Sequence, residues 1–171
     1  AEVIIRPKNL SKGKIMAEPS LIHAIDYLEK DKNIQIDNIV LLQPTSIIRK
    51  INDIDNAINI FKKQKADSLF SSCDMHIFLW RKMFNKIKPI NYNFKNRKNR
   101  QELPDEYIEN GSIYITKKTI LKRYKNRLGG KISTYVMDGL SIFEIDTEDD
   151  FKTISLIFSS GIAKKSKIFV P

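Results

Sequence analysis

The sequence predicts an α/β domain with a mostly parallel β-sheet. Segments with the apolar runs or alternation of strands are separated by segments with the apolar spacing of helices. Residues 39–42, IVLL, form a continuous apolar run, which is typical of a strand buried on both faces in a parallel sheet. Strands that alternate with helices favour this class, because each crossover helix returns the chain to add a parallel strand.

The first third of the chain begins with a predicted short strand at residues 3–5, which Pro7 ends. A helix is predicted from Glu18, because Pro19 suits its first turn and apolar residues follow at helical spacing. The strand at residues 39–42 comes next.

The helix after that strand is predicted from the apolar face that Ile54, Ile58 and Phe61 share, with Asn52 or Asp53 as its cap. Residues 67–72 are predicted as another strand, and residues 111–116 alternate as a further one.

The last third is predicted to contain a short helix through Ile120 and Leu121 and then a strand at residues 141–145. A final helix is predicted to start at Thr147, because Asp150 lies three residues on as a capping-box partner.

Composition limits the class of protein. The chain has 171 residues and a net charge of +10, from 30 Lys plus Arg against 20 Asp plus Glu. That length indicates one domain, and 42% hydrophobic residues are enough for a packed core. A single cysteine, Cys73, excludes an internal disulfide framework and favours a reducing, cytoplasmic compartment. No apolar run is long enough to cross a bilayer, so we expect no membrane partner.

The positive charge is concentrated in one block. Residues 75–101 contain no Asp or Glu but eight Lys and Arg residues, which is most of the net charge. Such a block favours an anionic partner, whether nucleic acid, an acidic membrane surface or an anionic small molecule. A solvated lysine-rich surface is the alternative, since the whole chain is rich in Lys, Ile and Asn.

The first of three polar candidate clusters is Gln43, Thr45 and Ser46, directly after the apolar run. Ligands of open α/β sheets bind beyond the carboxyl ends of strands, so this position favours a binding site. A glutamine that leaves a buried strand needs hydrogen-bond partners, and Pro44 fixes the turn. A simple turn with a helix cap is the alternative.

The second cluster is the acidic segment FEIDTEDDF. On a strand, Glu144 and Asp146 share a face, because side chains alternate with period two. Two carboxylates side by side suit a hard divalent cation, and Mg²⁺ in particular when phosphates complete its shell. Alternatively, all of these acids belong to the cap and the acidic first turn of the next helix.

The third cluster lies in NRQELPDEYIENGSIYIT. Arg100, Gln101, Asn110 and Tyr114 are side chains that recognise polar ligands, and arginine grips a carboxylate or phosphate through two hydrogen bonds. Gly111 permits a positive φ or close approach of the backbone. A polar loop that leads into a strand is the alternative.

Four stretches in this order resemble one enzyme family: AEVIIRPKNLS, LLQPTSIIR, RQELPDEYIENGSIYI and EIDTEDDF. Together they look like the cytidylyltransferases that activate sialic-acid-type nonulosonic sugars, and the similarity spans residues 3–158. The Gln-Pro-Thr-Ser stretch and the long third stretch separate them from the related Kdo cytidylyltransferases. The resemblance implies a three-layer nucleotidyltransferase fold, Rossmann-like and GT-A-like, with residues 75–110 as a basic dimerisation insert.

The resemblance also implies a reaction in which CTP and a nine-carbon acidic sugar give a CMP-sugar and pyrophosphate, as in lipopolysaccharide or capsule biosynthesis. The anomeric hydroxyl attacks the α-phosphorus in line, and Mg²⁺ offsets the developing charge. Carried over by motif, Glu144 and Asp146 bind the metal, and Arg100 reaches across a homodimer interface to the sugar carboxylate. The implied substrate-binding residues are Arg6 near the nucleotide, Gln43 and Tyr114 at the sugar, and Ser46, Gln101 and Asn110.

Three departures from the family pattern stand out. Position 144 is often Asp in the family but is Glu here, and Ile47-Ile48 stand where Pro-Leu is common. The family's phosphate-binding loop, rich in Gly, Ser, Lys and Arg, has no counterpart. We therefore expect residues 1–171 to be a cytidylyltransferase domain that lacks its phosphate-loop part, roughly 60 residues or two crossover units. We also expect negligible turnover from this chain alone.

Two other functions stay open at this point. The charge favours a basic nucleic-acid-binding α/β domain, although the chain has no recognised nucleic-acid motif, so the leading hypothesis expects no nucleic-acid partner. The second alternative is a catalytically inactive, dimeric relative of the family. The sequence does not distinguish between neuraminic, legionaminic and pseudaminic acids as the sugar.

Overall fold

The computed structural model describes residues 2–13, 15–74 and 76–162, and their four-stranded sheet carries helices on both faces. Short 3₁₀ turns lie at Lys8–Ser11, Phe94–Asn96, Arg100–Glu102 and Gly139–Ile142. In chain order the helices and strands are α1 (Ala17–Lys30), β1 (Asn38–Leu42), α2 (Asp53–Lys63), β2 (Ser68–Asp74), β3 (Trp80–Met83), β4 (Lys86–Pro89), β5 (Tyr107–Lys117), α3 (Lys118–Tyr124), β6 (Ile132–Met137) and α4 (Glu148–Ser159). The predicted α/β class is confirmed.

The sheet has the strand order β1-β5-β2-β6 and is mixed. β5 pairs antiparallel with both β1 and β2, whereas β2 and β6 pair in parallel. The predicted mostly parallel sheet is therefore wrong, because the chain inserts β5 between β1 and β2 in the opposite direction. β1, β2 and β6 still run the same way, so their carboxyl ends lie at one edge of the sheet.

β5 is one of the two inner strands, and its residues 112–116 are buried on both faces of the sheet. Ile113 and Ile115 belong to the hydrophobic core that α2 completes. Tyr114 lies between them in sequence and points to the other face, because side chains alternate along a strand. There it meets the loop after α3, which an ion pair joins to α1.

The helices bury the apolar stripes that their spacing predicts. α2 packs Phe61 into the main core, and α4 packs Ile154 into a second, smaller cluster. α4 starts with the predicted capping box between Thr147 and Asp150, and Pro19 lies in the first turn of α1 as predicted. None of the helices formed by the described residues is long and apolar enough to cross a membrane.

The start of α2 differs in detail from the prediction. Asn52 occupies the N-cap position, but in the left-handed conformation, with φ at 72° and no capping hydrogen bond from its side chain. Asp53 instead accepts a hydrogen bond of 2.6 Å from the backbone N–H of Lys50. The turn before α2 is therefore held by the first residue of the helix.

The predicted strand at residues 3–5 is wrong. This segment forms no strand, and Val3 and Ile5 are 84% and 85% exposed. Two or three β-prone residues become a strand only when a neighbour offers backbone groups, and no strand lies beside them in the part of the chain that the structure describes.

The predicted strand at residues 141–145 is also wrong, and the strand β6 just before it was missed. Residues 141 and 142 end a 3₁₀ turn, because Asp138 caps that turn by accepting a hydrogen bond of 3.0 Å from the backbone N–H of Leu140. Ser141 is drawn in as well, since its hydroxyl donates to the carbonyl of Asp138 at 2.6 Å. These local bonds compete with a strand for the same backbone.

β1 confirms the strand predicted at residues 39–42 but not its surroundings. β1 is the edge strand of the described sheet and pairs only with β5. Val40 and Leu42 are 39% and 38% exposed, whereas Ile39 and Leu41 are less so. The apolar run therefore lies on a half-covered antiparallel edge and not inside a parallel sheet.

The basic block forms a separate arm. β3 and β4 make a two-stranded hairpin that does not join the main sheet. Aromatic rings pack together at the base of the arm. The centre of the Tyr92 ring lies 4.3 Å from the centre of the Phe78 ring and 5.8 Å from that of the Trp80 ring. Phe84, in the hairpin turn, is 95% exposed.

Candidate functional site

Two of the predicted clusters meet at the carboxyl end of β1. Ser46 is fully buried, and its hydroxyl donates a hydrogen bond of 2.7 Å to Glu144 Oε1. The backbone N–H of Ile145 donates to the carbonyl of Thr45 at 3.0 Å. The turn after β1 and the acidic segment before α4, which are about 100 residues apart in sequence, are therefore fastened together.

Gly111 of the third cluster lies against the same place. A Cβ atom at position 111 would lie 1.9 Å from Glu144 Oε1 and 3.3 Å from Gln43 Oε1. The φ of Gly111 is +69°, as its predicted conformational freedom allows. Because position 111 carries no side chain, the Glu144 carboxylate and the Gln43 carboxamide both fit above it. We refer to Gln43, Ser46, Gly111 and Glu144 as the Ser46 cluster.

Arg49, a charged residue that the sequence did not single out, bonds the backbone of the Ser46 cluster. Arg49 Nη1 donates to the carbonyl of Ser46 at 2.5 Å and approaches the Ser112 hydroxyl at 3.3 Å. Burial lowers the pKa of Arg49, and the nearby Asp53 carboxylate partly opposes this effect. The guanidinium thus ties the turn after β1 to the inner strand β5.

Tyr114 is 5% exposed and is held at both ends. Its hydroxyl donates to Glu109 Oε1, and the Arg127 guanidinium lies over its ring. Burial, and then the hydrogen bond to Glu109, raises the pKa of Tyr114 well above its usual value. The charge of Arg127 partly opposes this rise, and the charge of Glu144 adds to it. Tyr114 is therefore a neutral phenol, electrostatically coupled to the Ser46 cluster.

Asn110, which the resemblance assigns to the substrate, is buried in a polar network inside the protein. Its Oδ1 accepts from the Ser71 hydroxyl at 2.6 Å, and its Nδ2 donates to the Ser141 hydroxyl at 2.8 Å. The Cys73 and Met137 sulfur atoms complete its surroundings at 3.6 and 3.4 Å. In this structure Asn110 joins β2, β5 and the turn before the acidic segment.

The chemistry of the acidic segment fits a divalent cation that takes most of its ligands from substrate and water. Asp146 is exposed, and its carboxylate accepts no hydrogen bond from a described residue. Glu144 uses Oε1 on Ser46, whereas its Oε2 has no such bond. No group of three or more His, Cys, Asp or Glu side chains among the described residues is placed to hold a metal. One or two carboxylates with substrate phosphates is the usual shell of Mg²⁺.

The predicted strand that would put Glu144 and Asp146 on one face is absent, so alternation no longer supports their pairing. The backbone is extended at Phe143 and at Thr147 without strand pairing. Asp146 is held through its backbone N–H, which donates to Asp150 at 3.2 Å. The acids after Asp146 do form the cap and first turn of α4, which was the alternative explanation for them.

The other three predicted residues are exposed and lie apart from the contacts just described. Arg6 Nη1 approaches the Ser20 hydroxyl of α1 at 3.4 Å. Arg100 and Gln101 lie in a 3₁₀ turn of the arm. Arg100 lines a cavity of about 320 Å³ with His76 and Arg97, among others. No contact among the described residues joins Arg6, Arg100 or Gln101 to the Ser46 cluster.

Sequence reasoning missed Arg49, Glu109 and the ion pair of Glu18 with Arg127. Arg49 and Glu109 lie inside motifs that were quoted for the resemblance, three residues after Ser46 and one before Asn110. A search for unpaired charges inside those motifs would have found them. Glu18 and Arg127 are 109 residues apart, and nothing in their local sequence indicates that they meet.

Comparisons with known proteins agree with the motifs. No family model matches the chain. Over 121 residues the chain is 31% identical to N-acylneuraminate cytidylyltransferase A of Danio rerio, a match that covers 68% of this chain and 28% of that protein. It is 30% identical over 136 residues to N-acylneuraminate cytidylyltransferase of Streptococcus agalactiae serotype III, covering 76% of this chain and 33% of that protein.

A third relative is shorter. The chain is 26% identical over 157 residues to post-translational flagellin modification protein B of Campylobacter coli, covering 89% of this chain and 66% of that protein. The chain therefore spans about a third or less of the two cytidylyltransferases and about two thirds of the flagellin modification protein. From these matches, the chain is a relative of the N-acylneuraminate cytidylyltransferases, as its motifs predict.

Proposed function

We propose that this chain is the sugar-binding part of a cytidylyltransferase that converts CTP and a sialic-acid-type nonulosonic acid into the CMP-sugar and pyrophosphate. One observation carries the proposal. Three motifs from distant parts of the sequence, around Ser46, Gly111 and Glu144, converge at the carboxyl edge of the sheet. That edge is where open α/β sheets bind ligands. The names of the two cytidylyltransferase relatives support the reaction class.

In the proposed reaction the anomeric hydroxyl oxygen of the sugar attacks the α-phosphorus of CTP. A new P–O bond forms, the bond between the α-phosphorus and the bridging oxygen breaks, and pyrophosphate leaves with that electron pair. The hydroxyl proton passes to solvent or to a carboxylate. The enzyme's contribution to such a transfer is mainly positioning and charge stabilisation.

The Ser46 cluster supplies the positioning of the sugar. The Gln43 carboxamide offers donors and an acceptor to sugar hydroxyls, and Gly111 leaves the space that the Gln43 and Glu144 side chains occupy. Tyr114 stays neutral, so it contributes a hydrogen-bonding phenol and no negative charge next to an anionic sugar. Ser46 holds Glu144 in place and Asn110 holds β5, so both act through their neighbours.

Asp146 and the free Oε2 of Glu144 are the side-chain atoms that would hold Mg²⁺. When bound, the ion would neutralise charge that develops on the phosphates. Both groups are carboxylates, and hard oxygen ligands are what Mg²⁺ prefers. Asp146 is the more available of the two, because Glu144 already bonds Ser46.

The arm supplies the remaining roles. We propose that the arm forms a homodimer contact, and that Arg100 meets the sugar carboxylate of the neighbouring subunit's site. The last residues of the predicted insert, 107–110, belong to β5 of the main sheet. Exposed apolar side chains on the hairpin support a partner surface, including Trp80 at 47% and Ile87 at 66%. Arg6, exposed beside the start of α1, is proposed to lie near the nucleotide.

The first experiment is sugar binding by isothermal titration calorimetry, with N-acetylneuraminic, legionaminic and pseudaminic acids as separate ligands. We expect one of them to bind, and we expect Gln43→Ala to weaken that binding by about tenfold, the loss of roughly 1.4 kcal/mol. Gln64→Ala is the matched control, since Gln64 is an exposed glutamine after α2. Turnover is followed by ³¹P NMR of the CMP-sugar, with the full-length gene product, CTP and Mg²⁺.

Two results would contradict the proposal. One is that none of the three acids binds while duplex DNA binds with a steep salt dependence, which is the behaviour of a nucleic-acid-binding domain. The other is equal sugar affinity for wild type and Gln43→Ala. Binding of the sugar without turnover by the full-length gene product would instead identify an inactive relative.

A further inference from the structure

A buried ion pair lies on the face of the sheet opposite α2. Glu18, in the first turn of α1, is 3% exposed, and its Oε1 accepts a hydrogen bond of 2.7 Å from Arg127 Nε. The Arg127 side chain is 19% exposed. Removing two charges from water costs free energy that their attraction only partly offsets. Stability alone therefore does not account for this pair.

The pair is also incomplete on its own. Glu18 Oε2 is buried, and no described residue donates a hydrogen bond to it. A buried acceptor without a partner costs about 1–3 kcal/mol. Glu18 Oε1 holds Arg127 while Glu18 Oε2 stays without a hydrogen bond. The contact therefore fixes the position of Arg127 at a cost in stability.

Arg127 is placed over Tyr114. The guanidinium carbon lies 4.7 Å from the centre of the Tyr114 ring, within the range of a cation–π contact. At the far end of the ring, the Tyr114 hydroxyl donates to Glu109. The ring is therefore held across its face by one side chain and at its tip by another.

We propose that Arg127 and Glu18 are positioning residues for Tyr114, an inference that rests on the proposed function of Tyr114 as a sugar contact. Glu18 fixes the guanidinium, the guanidinium fixes the plane of the ring, and the plane of the ring sets where its hydroxyl meets Glu109. α1 and the loop after α3 thus act on the sugar site without touching the sugar.

The test compares Arg127→Met with Arg123→Met. Methionine keeps much of the length of arginine but removes its charge. Arg123 is the matched control, because it makes the same kind of contact, 5.3 Å over the ring of Tyr124, on an exposed surface. The ligand is whichever of the three nonulosonic acids wild type binds. We expect Arg127→Met to weaken its binding by about tenfold, Arg127→Lys to recover part of that loss because it keeps the charge, and Arg123→Met to change nothing.

A second readout reports on the ring itself. In protein labelled with ¹³C-tyrosine, Tyr114→Phe assigns the Tyr114 signals. We expect slow ring flips in wild type and in Arg123→Met, and fast ring flips in Arg127→Met, because nothing then holds the ring across its face.

A double variant, Glu18→Met with Arg127→Met, separates positioning from stability. Removing both charges leaves no unpaired charge, so we expect its unfolding midpoint to return towards that of wild type, while sugar affinity stays about tenfold weak. Wild-type sugar affinity in a stable double variant, or unchanged Tyr114 flips in Arg127→Met, would overturn the inference. If wild type binds no sugar, the proposed function fails, and the ring flips still decide whether Arg127 orients Tyr114.

Discussion

The Ser46 cluster and the basic arm differ in how much of their geometry one chain supplies. In the Ser46 cluster the hydroxyl of Ser46 bonds Glu144, and the neighbouring Arg49 bonds the carbonyl of Ser46. In the arm, Arg100 and Gln101 are exposed, and the hairpin makes no hydrogen-bonded pair with the main sheet. The arm is therefore the part of the chain that we propose meets a partner.

This contrast teaches where substitutions should act. A side chain that bonds within the chain contributes to folding and to the site together, so its loss should appear in the free energy of unfolding. A side chain of the arm that waits for a partner should leave unfolding unchanged and affect only association or binding. The predictions below test that separation, starting with the largest change in stability.

Gly111→Ala should give the largest loss, about 2–3 kcal/mol of unfolding free energy. The new Cβ would force a side chain into a left-handed backbone conformation, which costs about 1–3 kcal/mol. It would also displace the Glu144 carboxylate from Ser46, because the new Cβ would lie 1.9 Å from Glu144 Oε1. Urea unfolding measures the loss, and calorimetry should show weaker sugar binding.

Gly139→Ala is the control for that experiment. A Cβ at Gly139 would meet no atom within 4 Å, and its φ is not positive. Its free energy of unfolding should stay within about 0.5 kcal/mol of wild type. Equal stability of the two variants would mean that Glu144 does not lie above Gly111.

Arg49→Met should cost somewhat less, about 1–2 kcal/mol, since it removes two hydrogen bonds from a charged donor but also relieves a buried charge. Arg81→Met in the exposed hairpin is the counterpart from the arm and should change stability by less than about 0.5 kcal/mol. Thermal or urea unfolding of the two variants side by side is the measurement. If Arg81→Met lowers the free energy of unfolding as much as Arg49→Met does, the arm and the surroundings of the Ser46 cluster do not differ in their contribution to stability.

The parts of the fold that sequence predicted are those decided by neighbours in the chain. The capping box of Thr147 and Asp150 spans three residues, and the positive φ of Gly111 depends on one residue. The strand order could not be predicted in this way. Whether β5 lies beside β1, and in which direction, is decided by contacts across some 70 residues.

The candidate site follows the same rule. Gln43, Ser46 and Glu144 were found because their motifs are recognisable, and the structure brings them together. Arg127 was missed because its partner lies at the other end of the sequence. β6 was missed although Ile, Thr, Tyr and Val favour strands. The Gly-Gly pair and the charged residues that precede it are typical of a loop.

A third prediction concerns pH. The hydrogen bond from Lys50, with that from the backbone of Leu140, lowers the pKa of Asp138 below its ordinary value of 3.8. A lowered folded-state pKa means that the contribution to stability is present above about pH 4 and is lost as the pH falls through the lower value. Asp138→Asn should therefore cost under about 1 kcal/mol at pH 7, since the Lys50 pair is partly exposed.

The measurement is the difference in unfolding free energy between wild type and Asp138→Asn at pH 7 and at pH 3. The difference should shrink at the lower pH, because the unfolded wild-type chain then binds a proton at Asp138 that the folded ion pair disfavours. Asp105→Asn, at an exposed aspartate between the arm and β5, is the control and should show no difference at pH 7. If the difference in unfolding free energy stays constant with pH, the ion pair with Lys50 is not its cause.

Trp80→Ala in the arm is expected to change association more than stability. Trp80 is 47% exposed and packs its ring on Tyr92 and Phe94 at 5.8 Å in each case, so some local packing is lost. If the arm forms the proposed homodimer, the variant should instead raise the dimer dissociation constant by about tenfold or more, as central aromatic residues of interfaces do. Sedimentation velocity over a range of protein concentrations measures this.

The same samples decide between the two partners that the arm's charge allows. A dimer held by apolar side chains should persist in salt, and Phe84→Ser, at the 95% exposed turn, should weaken it further. A nucleic-acid surface would leave wild type monomeric and give DNA affinity that falls steeply with salt. Monomeric wild type at all concentrations, with no such DNA affinity, would leave the arm as a solvated surface. Arg100 would then have no neighbouring site to complete.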